Sequence, residues 1–195
     1  MTGLIIAGGK SIRLGQDKRF MKLGGRTCVE RVLDAYDRLF DEVLIVADSA
    51  DAFRSMGVRV VVDVIPGRAA MGGLYTGLYY AKCQRVFAAA ADMPFISPAA
   101  IRVVLAAAEL GDIVIPEVQG KLHPMHAAYS KACLPALREL VETDELKIQD
   151  LARRPGLIVH RLPEPAFQAV EPQFRSFFNI NTPEDLAQAR AWIEE

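Results

Sequence analysis

Apolar residues in this chain gather into short runs that do not alternate strictly with polar ones, and stretches of helical spacing separate them. Runs of that kind suit strands covered on both faces by helices. Five fall in the first two thirds of the chain, at residues 3–7, 42–47, 58–63, 86–91 and 112–116. Helical patterns lie between them at 28–40, 50–56, 73–82 and 98–110. The first of these sets Val29, Val32, Leu33, Tyr36, Leu39 and Phe40 on one face, a stripe suited to burial. Strands alternating with helices predict right-handed crossovers and a doubly wound α/β sheet, mostly parallel.

The pattern changes after residue 120. Residues 123–129 read as a strand returning across the sheet, followed by a helix at 131–142 and a short one at 146–153. Strands are expected near 157–162 and 176–179, and a last helix at 183–193. Thr182-Pro183-Glu184-Asp185 is a full helix start, with a capping hydroxyl, Pro at the first helical position and acids in the first turn.

Composition narrows the class. With 195 residues, 51% of them apolar, the expectation is one domain over residues 1–195. A net charge of −1 offers no global basic field for nucleic acid, so any bound polyanion is held locally. Cys28, Cys83 and Cys133 are odd in number, widely spaced and without zinc-type spacing, which reads as three reduced thiols. No secretory signal or membrane-spanning run is recognisable, so a cytoplasmic location is expected.

Chemistry concentrates in the first loop. In open α/β sheets ligands bind beyond the carboxyl ends of the strands, where residues 8–18 fall. Gly8, Gly9 and Gly15 allow backbone N–H groups to converge on an anion, and Lys10, Arg13 and Lys18 supply positive charge. A Walker A loop does not fit, because Gly9 and Gly15 enclose five residues and Gln16 follows; a dinucleotide G-x-G-x-x-G is absent as well. Asp92 follows an apolar run and precedes Met93-Pro94. A carboxylate at a strand end suits Mg²⁺, which is commonly held by one or two carboxylates and substrate phosphates. It equally suits a turn.

The segment Ile6-Ala7-Gly8-Gly9-Lys10-Ser11-Ile12-Arg13-Leu14-Gly15-Gln16-Asp17-Lys18 closely resembles the signature of the molybdenum cofactor guanylyltransferases. Further matches run through Ala91-Asp92-Met93-Pro94, His123-Pro124 and Phe178-Asn179-Ile180-Asn181-Thr182-Pro183, so the resemblance spans nearly the whole chain. It implies a Rossmann-like, three-layer α/β/α nucleotide-diphospho-sugar-transferase fold with a late antiparallel strand. It also implies transfer of GMP from GTP to molybdopterin with Mg²⁺, release of pyrophosphate, and dealings with cofactor-biosynthesis and insertion proteins or molybdoenzyme chaperones. Carried onto this chain, Lys18, Arg13 and Asp92 are catalytic, with Asp92 on the metal. Ile6, Ala7, Gly8, Gly9, Lys18, Asp63, Gly72, Gly73 and Asp92 hold the nucleotide, while Asn179, Asn181 and His123 lie near the metal and second substrate.

Two departures stand out. The family often has a polar residue such as Asn at the end of the second strand, where this chain reads Val46-Ala47-Asp48, leaving Asp48 or backbone groups for the base. Where the family commonly reads G-P-L-x-G, this chain has Ala69-Ala70-Met71-Gly72-Gly73, with Arg68 just before it. Cytidylyl transfer to the same pterin, a sugar-phosphate acceptor, and a non-catalytic nucleotide- or cofactor-binding role are the rivals. Ala7-Gly8-Gly9 and Asp17-Lys18 favour guanine over the sister cytidylyl family, which has A-A-G.

Overall fold

A computed structural model describes residues 1–8, 17–143 and 147–194. The chain opens with strand β1 (Thr2–Ala7), and after a 3-10 turn at Lys18–Phe20 a small hairpin of β2 (Lys22–Leu23) and β3 (Arg26–Thr27) leads into helix α1 (Cys28–Tyr36). There follow β4 (Glu42–Ala47), a 3-10 helix at Asp51–Met56, β5 (Arg59–Val62), α2 (Ala69–Tyr80), β6 (Arg85–Ala90) and α3 (Pro98–Ala106). The second half runs through β7 (Ile113–Val118), β8 (Lys121–Leu122), β9 (His126–Ser130), α4 (Leu134–Glu142) and a 3-10 helix at Ile148–Arg153. It ends in β10 (Val159–Pro163), α5 (Pro165–Gln168), a 3-10 turn at Arg175–Phe177 and α6 (Pro183–Glu194).

Among the described residues the main sheet has eight strands in the order β10-β7-β9-β6-β1-β4-β5, with β8 paired to β7. Strands β1, β4, β5 and β6 are mutually parallel, β10 is parallel to β7, and β9 runs antiparallel to both β6 and β7. The mostly parallel α/β architecture with a late antiparallel strand is therefore the one expected.

Each central strand is apolar on both faces because successive side chains point to opposite sides. Ile5, Ala7, Ile45 and Phe87 enter one core with α1 and α3, while Leu4, Ile6, Leu44 and Val86 enter the other with α2 and α4. Helix α2 lies unusually close to β1. A Cβ at Gly73 would stand 2.7 Å from Ile6 Cγ2, and one at Gly77 would stand 2.3 Å from Leu4 Cδ2, so both positions need glycine for packing.

Several expected boundaries shift for identifiable reasons. Helix α1 stops at Tyr36 rather than 40, because Asp37 leaves helical geometry and Arg38 takes a φ of +58°. Helix α2 begins earlier, at Ala69. The strand expected at 176–179 is a 3-10 turn instead. There the Ser176 hydroxyl accepts from Ser97 N and donates to Glu171, tying the segment to the start of α3 rather than to a sheet neighbour. The hairpin β2–β3 and strand β8 were too short for a periodicity to announce. Of the helix expected at 146–153, residue 146 lies outside the described residues, and the remainder is 3-10.

Candidate active site

The chain passes from β1 outward through β4 and β5, then returns to β6 on the other side of β1. The crevice at such a reversal, beyond the strands' carboxyl ends, is where α/β sheets take ligands. A cavity of about 240 Å³ opens there. Ile6, Ala7 and Gly8 line it from β1, Ala90, Ala91 and Asp92 from β6, and Lys18 and Arg19 from the turn after the first loop.

Asp92 is the hub. Its Oδ2 pairs with Lys18 Nζ, and its Oδ1 accepts from Asn179 Nδ2 at 2.9 Å. Lys18 Nζ also donates to Asn181 Oδ1 at 3.1 Å. Both asparagines are set by the residue between them: Ile180 is fully buried, and its N–H donates to the Asp92 carbonyl at 3.1 Å. The asparagines thus reach Asp92 from an irregular segment pinned to the end of β6, without a sheet strand. Beyond them, Asp185 Oδ2 accepts from the N–H groups of Asn181 and Thr182, and Thr182 Oγ1 accepts from Asp185 N, a reciprocal cap that starts α6.

Arg19 was not singled out in the sequence, yet it fixes the lysine. Its Nε and Nη2 donate to the two carboxylate oxygens of Asp17, at 2.8 and 2.6 Å, and its Nη1 donates to the carbonyl of Ala7. The guanidinium lies over the rings of Phe20 and Phe53, 5.7 and 5.5 Å from their centroids. A buried fork with these partners holds the Asp17–Lys18–Arg19 backbone to the end of β1 and aims Lys18 at Asp92. Only a cation next to Lys18 in sequence hinted at it, since Ala7 and Phe53 are remote.

The other expected site residues divide. Asp63 sits just past β5 with its carboxylate turned inward, where Oδ1 accepts from Thr76 Oγ1 at 2.7 Å and from Ile65 N at 3.0 Å. A Cβ on Gly72 would stand 2.7 Å from the Ile65 carbonyl and 3.0 Å from Asp63 Oδ2, so Gly72 serves the close packing of this turn on α2. Gly73 does the same against Ile6, and Gly8 lies beside Asp48. Gly9 and Arg13 lie outside the described residues. Ala69, where the family pattern has glycine, keeps a glycine-like φ of +49°.

A second cavity, of about 650 Å³, adjoins the first through Met125 and Asn179, and Asn181 lines it as well. His123 lies on its wall with Met93, Phe177 and Trp192. Burial lowers the His123 pKa, its Nε2 is 3.2 Å from the Val118 carbonyl, and its ring packs on Phe177. Neutral and partly enclosed, it is a wall rather than a cationic anchor.

The thiols offer no nucleophile at the centre. Burial and then the nearby Asp92 charge push Cys28 up to about 12, and burial does the same to Cys133, so both stay protonated at neutral pH. Among the described residues no cluster of three or more His, Cys, Asp or Glu side chains is poised to hold a metal. Asp92 with the amide oxygen of Asn181 nevertheless offers oxygen donors, which match a hard cation that completes its shell on phosphates, while Asn179 steadies the carboxylate through its amide nitrogen.

Comparison with known proteins identifies the family. Residues 3–157 match the family described as a MobA-like NTP transferase domain. A probable molybdenum cofactor guanylyltransferase of Pelotomaculum thermopropionicum is 34% identical over 193 residues, covering 99% of this chain and 93% of the relative. The molybdenum cofactor guanylyltransferase of Desulfosudis oleivorans is 33% identical over 196 residues, covering 100% and 96%. Among solved structures, molybdopterin-guanine dinucleotide biosynthesis protein A from Archaeoglobus fulgidus superposes with a TM-score of 0.87 at 25% identity, covering 100% and 99% of the two chains. Fold, site and relatives together define an α/β nucleotidyltransferase. The chain belongs to the MobA-like NTP transferases and, within them, to the molybdenum cofactor guanylyltransferase family that its first loop resembles. None of its described helices is long and apolar enough to cross a membrane.

Proposed function

We propose that this enzyme transfers GMP from GTP to the terminal phosphate of molybdopterin, releasing pyrophosphate and forming molybdopterin guanine dinucleotide. The observation that carries the reading is the convergence of Lys18, Asn179 and Asn181 on Asp92 at the mouth of β1 and β6. Lys18 neutralises Asp92. A nucleoside triphosphate offers the lysine a phosphate instead, which frees the carboxylate for a cation.

Asp92 is the residue that would hold Mg²⁺, with Asn181 as a neighbouring oxygen donor and Asn179 orienting the carboxylate; bound there, the ion would neutralise charge on the triphosphate. The chain's own groups do the rest. Gly8 and the end of β1 admit the phosphates closely, Lys18 counters charge as it shifts toward the leaving pyrophosphate, and Arg19 keeps that lysine in place. The second cavity holds the acceptor so that its phosphate oxygen lies in line with the α-phosphorus. As the new P–O bond forms, the bond to the β-phosphate breaks. Catalysis of this kind is positioning and charge stabilisation, with no side-chain nucleophile.

The sequence departures near Asp48 and Ala69 leave cytidylyl transfer as the reading to separate from this one. Free cysteines suit a reducing cytoplasm, and a net charge of −1 favours neither a nucleic-acid nor a membrane partner. Label in the α-phosphate of GTP should pass to the pterin product, and label in the γ-phosphate to pyrophosphate. Retention of both labels on unreacted GTP, with intact molybdopterin and Mg²⁺ present, would refute the proposal.

A further inference from the structure

Phe174 is a bulky aromatic residue held in the left-handed region, with φ +52° and ψ +25°. Glycine or asparagine is the usual occupant of such a conformation, and an aromatic there is an outlier. Gln119 has nearly the same φ but an evident reason: with Gly120 it forms the two-residue connection between β7 and β8, where hairpin turns require positive φ. Phe174 has no hairpin to serve. Its N–H donates to the Glu171 carbonyl and its own carbonyl accepts from Phe177 N, so the backbone is fixed in that shape by a local turn that glycine would form more easily.

What the strained conformation does is put an aromatic ring on the wall of the 650 Å³ cavity, together with Phe177, Phe178 and Trp192. That cavity meets the Asp92 site at Met125 and Asn179, and its size suits a small-molecule site. Side chains in disfavoured backbone conformations persist where the surroundings over-determine them, and they gather at ligand sites. We propose that Phe174 is a specificity-determining residue for the acceptor: its ring face packs against the planar heterocycle of the pterin and selects flat acceptors over puckered sugar phosphates. This rests on the acceptor reading given above. Aromatic stacking in an offset or tilted geometry is the physical basis, as the rings already present adopt tilted pairs.

The test uses the full-length enzyme with GTP and molybdopterin. Phe174→Ala keeps the strain and removes the ring, whereas Phe174→Gly removes both. The expected result is that Phe174→Gly melts above Phe174→Ala, while both raise the acceptor KM about tenfold or more and leave the GTP KM unchanged. Phe174→Tyr should restore the acceptor KM. Phe174→Leu keeps apolar bulk for folding but lacks a planar face, and it should share the raised KM even if the smaller variants fold poorly. Equal melting of the Ala and Gly variants, or an unchanged acceptor KM in Phe174→Leu, overturns the inference. Failure of the wild-type enzyme to release pyrophosphate with molybdopterin defeats the acceptor reading itself, a result distinct from active variants with unchanged KM.

Discussion

Asn179 Nδ2 donates to Asp92 Oδ1 at 2.9 Å, across 87 positions of chain, and so orients the carboxylate on which the site is centred. Removing that donor leaves Asp92 paired with Lys18 but free to rotate. Asn179→Ala is expected to lower kcat/KM by roughly tenfold, about 1.4 kcal/mol at the barrier. Thermal stability should barely change, because the Ile180–Asp92 backbone bond remains. Steady-state kinetics at saturating Mg²⁺ check this, and an unaltered kcat/KM would dismiss the orienting role.

Lys18 and Asp92 themselves carry larger consequences. Lys18→Ala and Asp92→Ala should each lose roughly 10²-fold or more in turnover, about 2.7 kcal/mol. The pair is largely enclosed, so each single variant also strands a charge and should be less stable than the double variant with both removed. Chemical denaturation of the three proteins measures the difference.

Arg19→Lys keeps the charge but cannot make the fork to Asp17 while also capping the Ala7 carbonyl. A loss of about 1–3 kcal/mol in unfolding free energy is expected, together with a fall in kcat as Lys18 loses its fixed aim. Wild-type stability and turnover in Arg19→Lys would assign the fork no role.

Ala69 occupies a φ of +49° at the start of α2, a conformation that costs an L-residue about 1–2 kcal/mol. Ala69→Gly should therefore raise stability by about 0.5–1 kcal/mol after the entropy glycine adds to the unfolded chain. Urea denaturation gives the answer, and a less stable glycine variant would mean the strain is not there to relieve.

His126 is fully buried against Phe87, Phe167 and Phe177, and among the described residues neither ring nitrogen has a hydrogen-bond partner. Burial lowers its pKa to about 3, and that of the nearby His123 falls for the same reason. The unfolded chain takes up a proton near the ordinary value of 6.5 while the folded one does not. Stability is thus fully present above about pH 6.5 and declines as the pH falls toward 3. Between pH 6.5 and 5 the His126 contribution is about 2 kcal/mol. His126→Phe should remove most of that decline in urea denaturation at the two pH values; an identical decline would place its origin elsewhere.

The parts of the site that the sequence revealed are those built from contiguous residues. The apolar runs of β1 and β6 deliver Gly8 and Asp92 to strand ends, and the run of types around Lys18 carries a family signature on its own. Asn179 and Asn181 were legible only through resemblance, since their bond to Asp92 depends on a backbone contact from Ile180. The expected strand there failed because the adjacent aromatics Phe177 and Phe178 imitate a short buried strand, while the Ser176 hydroxyl and the Phe177 ring tie the segment into a turn. Arg19 was hidden because its partners Ala7 and Phe53 meet it only in three dimensions. The strain at Ala69 and Phe174 was equally invisible, as neither residue type signals positive φ.

Guanylyl transfer at the Lys18–Asp92 centre is tested most directly by comparing kcat/KM for GTP and CTP, read as pyrophosphate release in the presence of molybdopterin and Mg²⁺. The account predicts release with GTP that exceeds CTP by at least about 10²-fold, abolished when molybdopterin is omitted. Equal or faster release with CTP would contradict it.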